Sequence, residues 1–176
     1  MMDDLIRQKA KAIKLLALDV DGTLTPGYIN YNHLGQEIKS FHAHDGLALS
    51  LLVNSGIIGA IITGRESTAT LTRAQELGIT EIWQKVHYKR QVLESIMERY
   101  SLEPDQCAYM GDDVNDLPCL NLVGLAMSPA DARPEVLSVV HWTASLPGGQ
   151  GAVRQACELI MKAAGTWEQA VASFQN

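Results

Sequence analysis

The chain has 176 residues, of which 47% are apolar and 19% charged, and it carries a formal net charge of −6. That length suits a single domain over residues 1–176, the apolar share excludes a disordered chain, and the acidic balance excludes the cation-rich surface that nucleic acid or an anionic membrane needs. The longest apolar runs cover a few residues against the roughly 20 of a spanning helix, and the start, Met-Met-Asp-Asp-Leu, lacks the basic and then apolar pattern of a secretion signal. A cytoplasmic protein is the expectation, with no membrane partner. Cys107, Cys119 and Cys157 are odd in number and far apart, so they read as free thiols of a reducing compartment.

Residues 3 to 13 place Leu5, Ile6 and Ile13 at helical spacing, giving a short lead-in helix. The run from Leu15 to Val20, broken only by Asp19, is short and continuously apolar, as in a strand buried on both faces of a parallel sheet. Tyr28 to Tyr31 and Gln36 to Phe41 flank the polar turn Asn32-His33-Leu34-Gly35, which reads as a β-hairpin over about 28–41 projecting from that sheet. Further strand-like runs follow at Ile57 to Thr63, Glu81 to Trp83, Cys107 to Met110 and Val123 to Met127. Between them lie helical stripes, Val92, Leu93, Ile96, Met97 and Tyr100 in one and Val153, Ala156, Cys157, Ile160 and Met161 in another. Gly78 and Pro104 fall where helices stop and strands begin. Five strands alternating with helices predict an α/β fold with a doubly wound, Rossmann-like parallel sheet.

Sites on such sheets form outside the carboxyl ends of the strands, so the residues after each run are the ones to collect. Asp19, Asp21, Gly22 and Thr23 follow the first run, and Thr63, Gly64 and Arg65 the second; Lys89 follows the third and opens a helix, and Gly111, Asp112, Asp113 and Asp116 follow the fourth. Acids from two strand ends, a hydroxyl and an ammonium thus converge on one crevice. Several carboxylates share a site only with a cation among them, and hard oxygen ligands select Mg²⁺, which takes phosphate oxygens readily. The expected chemistry is phosphoryl transfer: Asp19 can attack phosphorus, Asp21 can carry the transferable proton, and Thr63 and Lys89 can donate to the phosphoryl oxygens.

Together, Asp19-Val20-Asp21-Gly22-Thr23, Thr63, Lys89 and Gly111-Asp112-Asp113-x-x-Asp116 resemble the four ordered motifs of the haloacid dehalogenase superfamily of phosphohydrolases, over nearly the whole chain. The resemblance implies that Asp19 forms an aspartyl-phosphate while Asp21 protonates the leaving alcohol and then activates water. It also implies Mg²⁺ held by the Asp19 carboxylate, the Asp21 main-chain carbonyl and Asp112, with Asp113 and Asp116 orienting those ligands and Lys89. Phe41 to Gly46, Ile62 to Arg65, Leu77 to Thr80, Ala130 to Ala132 and Gly148 to Arg154 extend the likeness to 3-deoxy-D-manno-octulosonate 8-phosphate (KDO 8-phosphate) phosphatases and their sialic-acid-type relatives, which have no separate cap domain. That narrower likeness implies a small phosphorylated sugar acid as substrate, in lipopolysaccharide precursor synthesis. Its contacts would fall on Asp21, His42, Ala43, His44, Asp45, Gly46, Ser50, Gly64, Arg65, Arg73 and Lys89. It also implies a homotetramer in which hairpins associate. The chain departs from the pattern at Thr23, Pro26, His42, His44, Ala48 and Ser50.

A sugar-acid phosphate carries a carboxylate as well as a phosphate, and Arg65, just past the Thr63-Gly64 turn, is placed to grip it; Arg73 lies about two helical turns on, on the same side. Plainer readings stand beside these: His42 and His44 as surface histidines near a loop end, Asp113 and Asp116 as acids favoured in a first helical turn, and Gly148 to Gly151 as a loop before a helix. A phospho-accepting receiver domain also gathers acids, a hydroxyl and a lysine around Mg²⁺, but its acid pair precedes the acceptor, whereas Asp19 precedes Asp112 and Asp113 here. A non-catalytic scaffold would have no need for the intact Asp19, Asp21, Lys89 and Asp112.

Overall fold

The computed structural model describes residues 4–174. Its centre is β1 (Leu15–Leu18), buried along its whole length because neighbours pair with both of its edges. The hairpin strands β2 (Asn30–Tyr31) and β3 (Glu37–Ile38) come next, then β4 (Ile58–Ile62), β5 (Glu81–Trp83), β6 (Cys107–Met110), β7 (Leu125–Ser128) and β8 (Trp142–Thr143). The sheet is six-stranded in the order β5-β4-β1-β6-β7-β8, and every pairing is parallel. The chain builds outward from β1 to β5, returns to β6 and then builds the other way. The reversal leaves a crevice at the carboxyl end of β1, where a doubly wound sheet places its ligands.

Strand alternation sorts the core into two layers. Leu16 and Leu18 face α1 (Asp4–Lys11), α2 (Ala43–Asn54) and α7 (Ala152–Ala164), while Leu15 and Ala17 face Leu93, Ile96 and Met97 of α4 (Lys89–Tyr100). Shorter helices complete the layers: α3 (Thr68–Glu76), α5 (Leu117–Leu120), α6 (Pro134–Leu137) and α8 (Trp167–Ala172). Among the described residues no helix is long and apolar enough to cross a membrane. The three cysteines are free and buried.

Two expectations need correction. The sheet has a sixth strand, Trp142–Thr143, too short to show as an apolar run. The strand expected from Val123 starts at Leu125, because Gly124 still belongs to a turn whose N–H donates to the Pro104 carbonyl at 2.7 Å. His42 and His44 flank a loop end as expected: His42 is the residue before α2 and His44 lies in that helix's first turn. Residue 3 of the expected lead-in helix lies outside the described residues.

The hairpin forms where expected, with Asn30 opposite Ile38 and Tyr31 opposite Glu37. Its turn is held by the Asn32 side chain, which accepts from the Leu34 and Gln36 N–H groups at 2.9 and 3.0 Å, and by Gly35 at φ 74°.

Candidate active site

Four strand ends supply the crevice. After β1 the chain turns sharply over the Val20 carbonyl, which accepts from the N–H groups of Thr23, Leu24 and Thr25 at 2.9–3.3 Å. Gly22, at φ 94°, lies hard against Asp112, where a Cβ would fall 2.0 Å from the Asp112 Oδ2, so no larger residue fits. Behind this turn the 148–149 segment presses on it: a Cβ on Gly148 would fall 1.7 Å from the Gly22 carbonyl oxygen, and Gly149 N–H donates to the Thr23 carbonyl at 2.9 Å. Gly148 to Gly151 is therefore the wedge that holds the Asp21 turn in place, a tighter role than a plain connection.

Lys89 opens α4 from the end of β5 and is 3% exposed. Its Nζ sits 2.8 Å from Asp19 Oδ1 and 2.7 Å from Asp116 Oδ1. Burial alone would push this amine down, but the two carboxylates outweigh it and hold its pKa above the ordinary value, so it is an ammonium. Asp116 is fully buried and saturated: Tyr109 Oη–H and Lys89 donate to Oδ1, each at 2.7 Å, and the Asp112 and Asp113 N–H groups donate to Oδ2 at 3.1 and 3.3 Å. It anchors Lys89 and the loop after β6. Asp113 is exposed and caps the turn Val114–Asp116, its Oδ1 accepting from the Val114 N–H at 2.7 Å.

Asp19, Asp112 and Asp116 offer oxygens within 4.8 Å of one another. Burial, then the Asp116 carboxylate, raises Asp19 to about 6. Burial, then Asp19 and Asp116, raises Asp112 to about 7, although the Thr23 hydroxyl donates to its Oδ1 at 3.1 Å. Lys89 alone does not neutralise this cluster. Since Asp116 is already saturated, the residues left to fit a hard divalent cation are Asp19 and Asp112, and a set of oxygen donors of this kind suits Mg²⁺.

Thr63 is 2% exposed at the end of β4; its N–H donates to the Trp83 carbonyl at 2.9 Å, and its hydroxyl oxygen accepts from the Arg65 N–H at 3.3 Å. Gly64 is exposed beside it. Arg65 leans on the hairpin, with Nη2 3.0 Å from Glu37 Oε2 and 3.3 Å from the Tyr31 hydroxyl. Arg73, on α3, pairs with Glu76 at 3.1 Å and lies close against Gly46, where a Cβ would meet Nη2 at 1.9 Å. Gly46 is thus needed for the close approach of that guanidinium.

The remaining expected substrate contacts lie on α2. Ala43 and His44 are exposed, Ser50 is half-buried, and the His42 and His44 rings meet edge-on with centroids 5.0 Å apart. Asp45 is already partnered within the fold. Its carboxylate, 1% exposed, accepts from the Arg154 and Gly151 N–H groups at 2.6 and 3.2 Å and so caps the N-terminus of α7.

Two residues of the crevice escaped the reading of the sequence. Lys39 forms ion pairs with Asp21 Oδ1 and, at 2.6 Å, with Glu37 Oε1, and its side chain is 2% exposed. Glu37 bridges Lys39 and Arg65; burial raises its carboxyl, but the donors from those two cations outweigh that and hold it below the usual range. The available signal was the period of two expected of the hairpin's second strand, which places Glu37 and Lys39 on one face and the exposed Ile38 on the other.

The chain is similar to known proteins over most of its length. Residues 75–151 match the family model of haloacid dehalogenase-like hydrolases. The chain is 40% identical over 161 residues to the 3-deoxy-D-manno-octulosonate 8-phosphate phosphatase of Yersinia pestis, covering 92% of this chain and 86% of that one. The crystal structure of the Moraxella catarrhalis 3-deoxy-D-manno-octulosonate 8-phosphate phosphatase with a magnesium ion, a phosphate ion and KDO superposes with a TM-score of 0.95 at 43% identity, covering 99% of each chain. The cobalt-bound Haemophilus influenzae deoxy-D-mannose-octulosonate 8-phosphate phosphatase gives a TM-score of 0.88 at 34% identity, over 94% of this chain and 99% of that one.

Proposed function

The chain belongs to the 3-deoxy-D-manno-octulosonate 8-phosphate phosphatases of the haloacid dehalogenase-like hydrolases, and we propose that it hydrolyses KDO 8-phosphate to KDO and phosphate with Mg²⁺ as cofactor. The observation that carries this reading is the buried carboxylate of Asp19, held by Lys89 and facing Asp112 at a strand-end crevice. The reaction is the one expected of a single catalytic domain in the cytoplasm that supplies lipopolysaccharide precursors.

Asp19, the Asp21 main-chain carbonyl and Asp112 would hold Mg²⁺. When bound, the ion neutralises charge on the phosphoryl group and orients it. An Asp19 carboxylate oxygen bonds to phosphorus as the ester P–O bond breaks, and Asp21 gives its proton to the departing sugar oxygen. Asp21, now a carboxylate, takes a proton from water as that water's oxygen bonds to phosphorus; the Asp19 O–P bond breaks and phosphate leaves. Lys89 and the Thr63 hydroxyl face the charge of the transferring group, and Tyr109, through Asp116, keeps Lys89 from turning away.

Arg65 is the cation for the sugar carboxylate, exchanging its contact with Glu37 for one with the substrate. Arg65→Ala should raise KM for KDO 8-phosphate by about 10- to 100-fold, the worth of a charge-assisted hydrogen bond, and leave KM for p-nitrophenyl phosphate within about 3-fold. Steady-state kinetics on the two substrates check this, and equal losses on both would refute the role.

The chain assembles as a homotetramer through its hairpins. Tyr28, Ile29, Tyr31, Leu34 and Ile38 are all exposed there, between 41% and 74%, a density of apolar surface that favours association. Sedimentation equilibrium should return about four chain masses, and Leu34→Glu with Ile38→Glu should lower that value. A monomer with full activity would contradict the assembly.

A further inference from the structure

On the reading that Asp21 moves the proton in this phosphatase, we propose that Lys39 of the hairpin is a positioning residue for Asp21, holding Oδ1 so that the second carboxylate oxygen faces the leaving group and, later, the attacking water. The surroundings of Lys39 set it apart from a solvated lysine. The hairpin strands are largely exposed, yet the Lys39 side chain is turned inward and 2% exposed, a burial tolerated by an ammonium only with anionic partners. Its anionic partner throughout is Glu37, at 2.6 Å, while Asp21 Oδ1 accepts from it and leaves Oδ2 to carry the proton; among the described residues Lys39 is the one cation within ion-pair distance of Asp21.

Asp19 has Lys89, and Asp112 has the Thr23 hydroxyl. The short side chain of Asp21, 18% exposed, would otherwise rotate freely at the rim. Glu37 supplies the other half of the clamp, for it holds Lys39 on one oxygen and Arg65 on the other. Before substrate binds, the hairpin thereby links Asp21 to Arg65, and Glu37 keeps its hold on Lys39 when Arg65 turns to the sugar acid.

Proton donation matters most for a poor leaving group. In the first step the sugar C–O⁻ takes the Asp21 proton as the P–O bond breaks and the Asp19 O–P bond forms, whereas p-nitrophenolate departs without a proton. Lys39→Met keeps the stem and removes the charge. In single-turnover experiments, phosphorylation of Asp19 by KDO 8-phosphate should slow about 100-fold, the lower end of what a placed acid contributes, and phosphorylation by p-nitrophenyl phosphate less than about 5-fold. Substrate affinity should stay within about 2-fold, and Lys39→Arg should recover about 10-fold of the loss on KDO 8-phosphate.

Equal slowing with both phosphates, or a loss confined to KM, would make Lys39 a substrate-binding group and overturn the proposal; no slowing would do the same. If Lys39→Met does not fold, Glu37→Gln, which removes the second anchor of Lys39, should show the same selectivity at about 10-fold, and an unselective loss there counts against the proposal equally. A wild-type chain that takes up no phosphate from either substrate removes the underlying phosphatase reading. A phosphorylated wild type with an indifferent Lys39→Met removes the proposal alone.

Discussion

Asp19→Asn is expected to abolish turnover, with kcat for KDO 8-phosphate falling about 10⁴-fold or more, as for the loss of a nucleophile elsewhere. The amide matches the carboxylate in volume, so the turn over Val20 survives, and Lys89 stays anchored by Asp116 at 2.7 Å. The variant should therefore give wild-type circular dichroism and melt cooperatively while taking up no covalent phosphate. Rapid-quench assays with radiolabelled substrate check both points. Retention of more than a few per cent of wild-type turnover would refute Asp19 as the nucleophile.

Removal of Mg²⁺ is the second large effect. Exhaustive chelation should silence the enzyme, and Mg²⁺ should restore it, because Asp19 and Asp112 repel each other and the incoming phosphate when no ion lies between them. The same carboxyls make stability depend on pH. In the fold, burial and neighbouring acids hold protons on Asp19 up to about pH 6 and on Asp112 up to about pH 7. The unfolded chain releases them nearer about pH 4. Between those values the folded state binds more protons, so metal-stripped protein loses stability as pH rises through that window. Mg²⁺ binds the ionised pair, so it should raise the melting temperature more at about pH 8 than at about pH 5. Melting curves with EDTA and with excess Mg²⁺ at both values measure this; activity that survives chelation, or a larger Mg²⁺ shift in acid, would contradict the metal's place.

Much of this was legible in the sequence, and the physical reasons for the rest are specific. Asp19, Thr63, Lys89, Asp112 and Asp116 could be gathered because burial on both faces marks the parallel strands, and the strand ends of a doubly wound sheet meet at one crevice. Lys39 and Glu37 could not, since a hairpin's internal pairing says nothing about which way the hairpin folds over the sheet. The capping role of Asp45 was silent for a related reason: the amides it caps lie 106 residues along the chain, at Gly151, and 109 along it, at Arg154. The strand Trp142–Thr143 was silent because two residues make no pattern.

The electrostatics also resolve a contrast in the composition. A chain of net charge −6 can handle a polyanionic substrate because several of its acids, Asp19, Asp112 and Asp116 among them, cluster where a cation would sit. Lys89 pairs with Asp19, Arg65 reaches the hairpin at Glu37, and Arg73 packs against Gly46.

The most direct test of the whole account is kcat/KM with Mg²⁺ for KDO 8-phosphate against a neutral sugar phosphate such as glucose 6-phosphate. The account predicts a value of about 10⁴ M⁻¹ s⁻¹ or more for the sugar acid, in the ordinary range for a dedicated enzyme, and at least about 100-fold less for the neutral sugar, which leaves Arg65 without its partner. Equal values for the two would contradict a site built for a sugar acid.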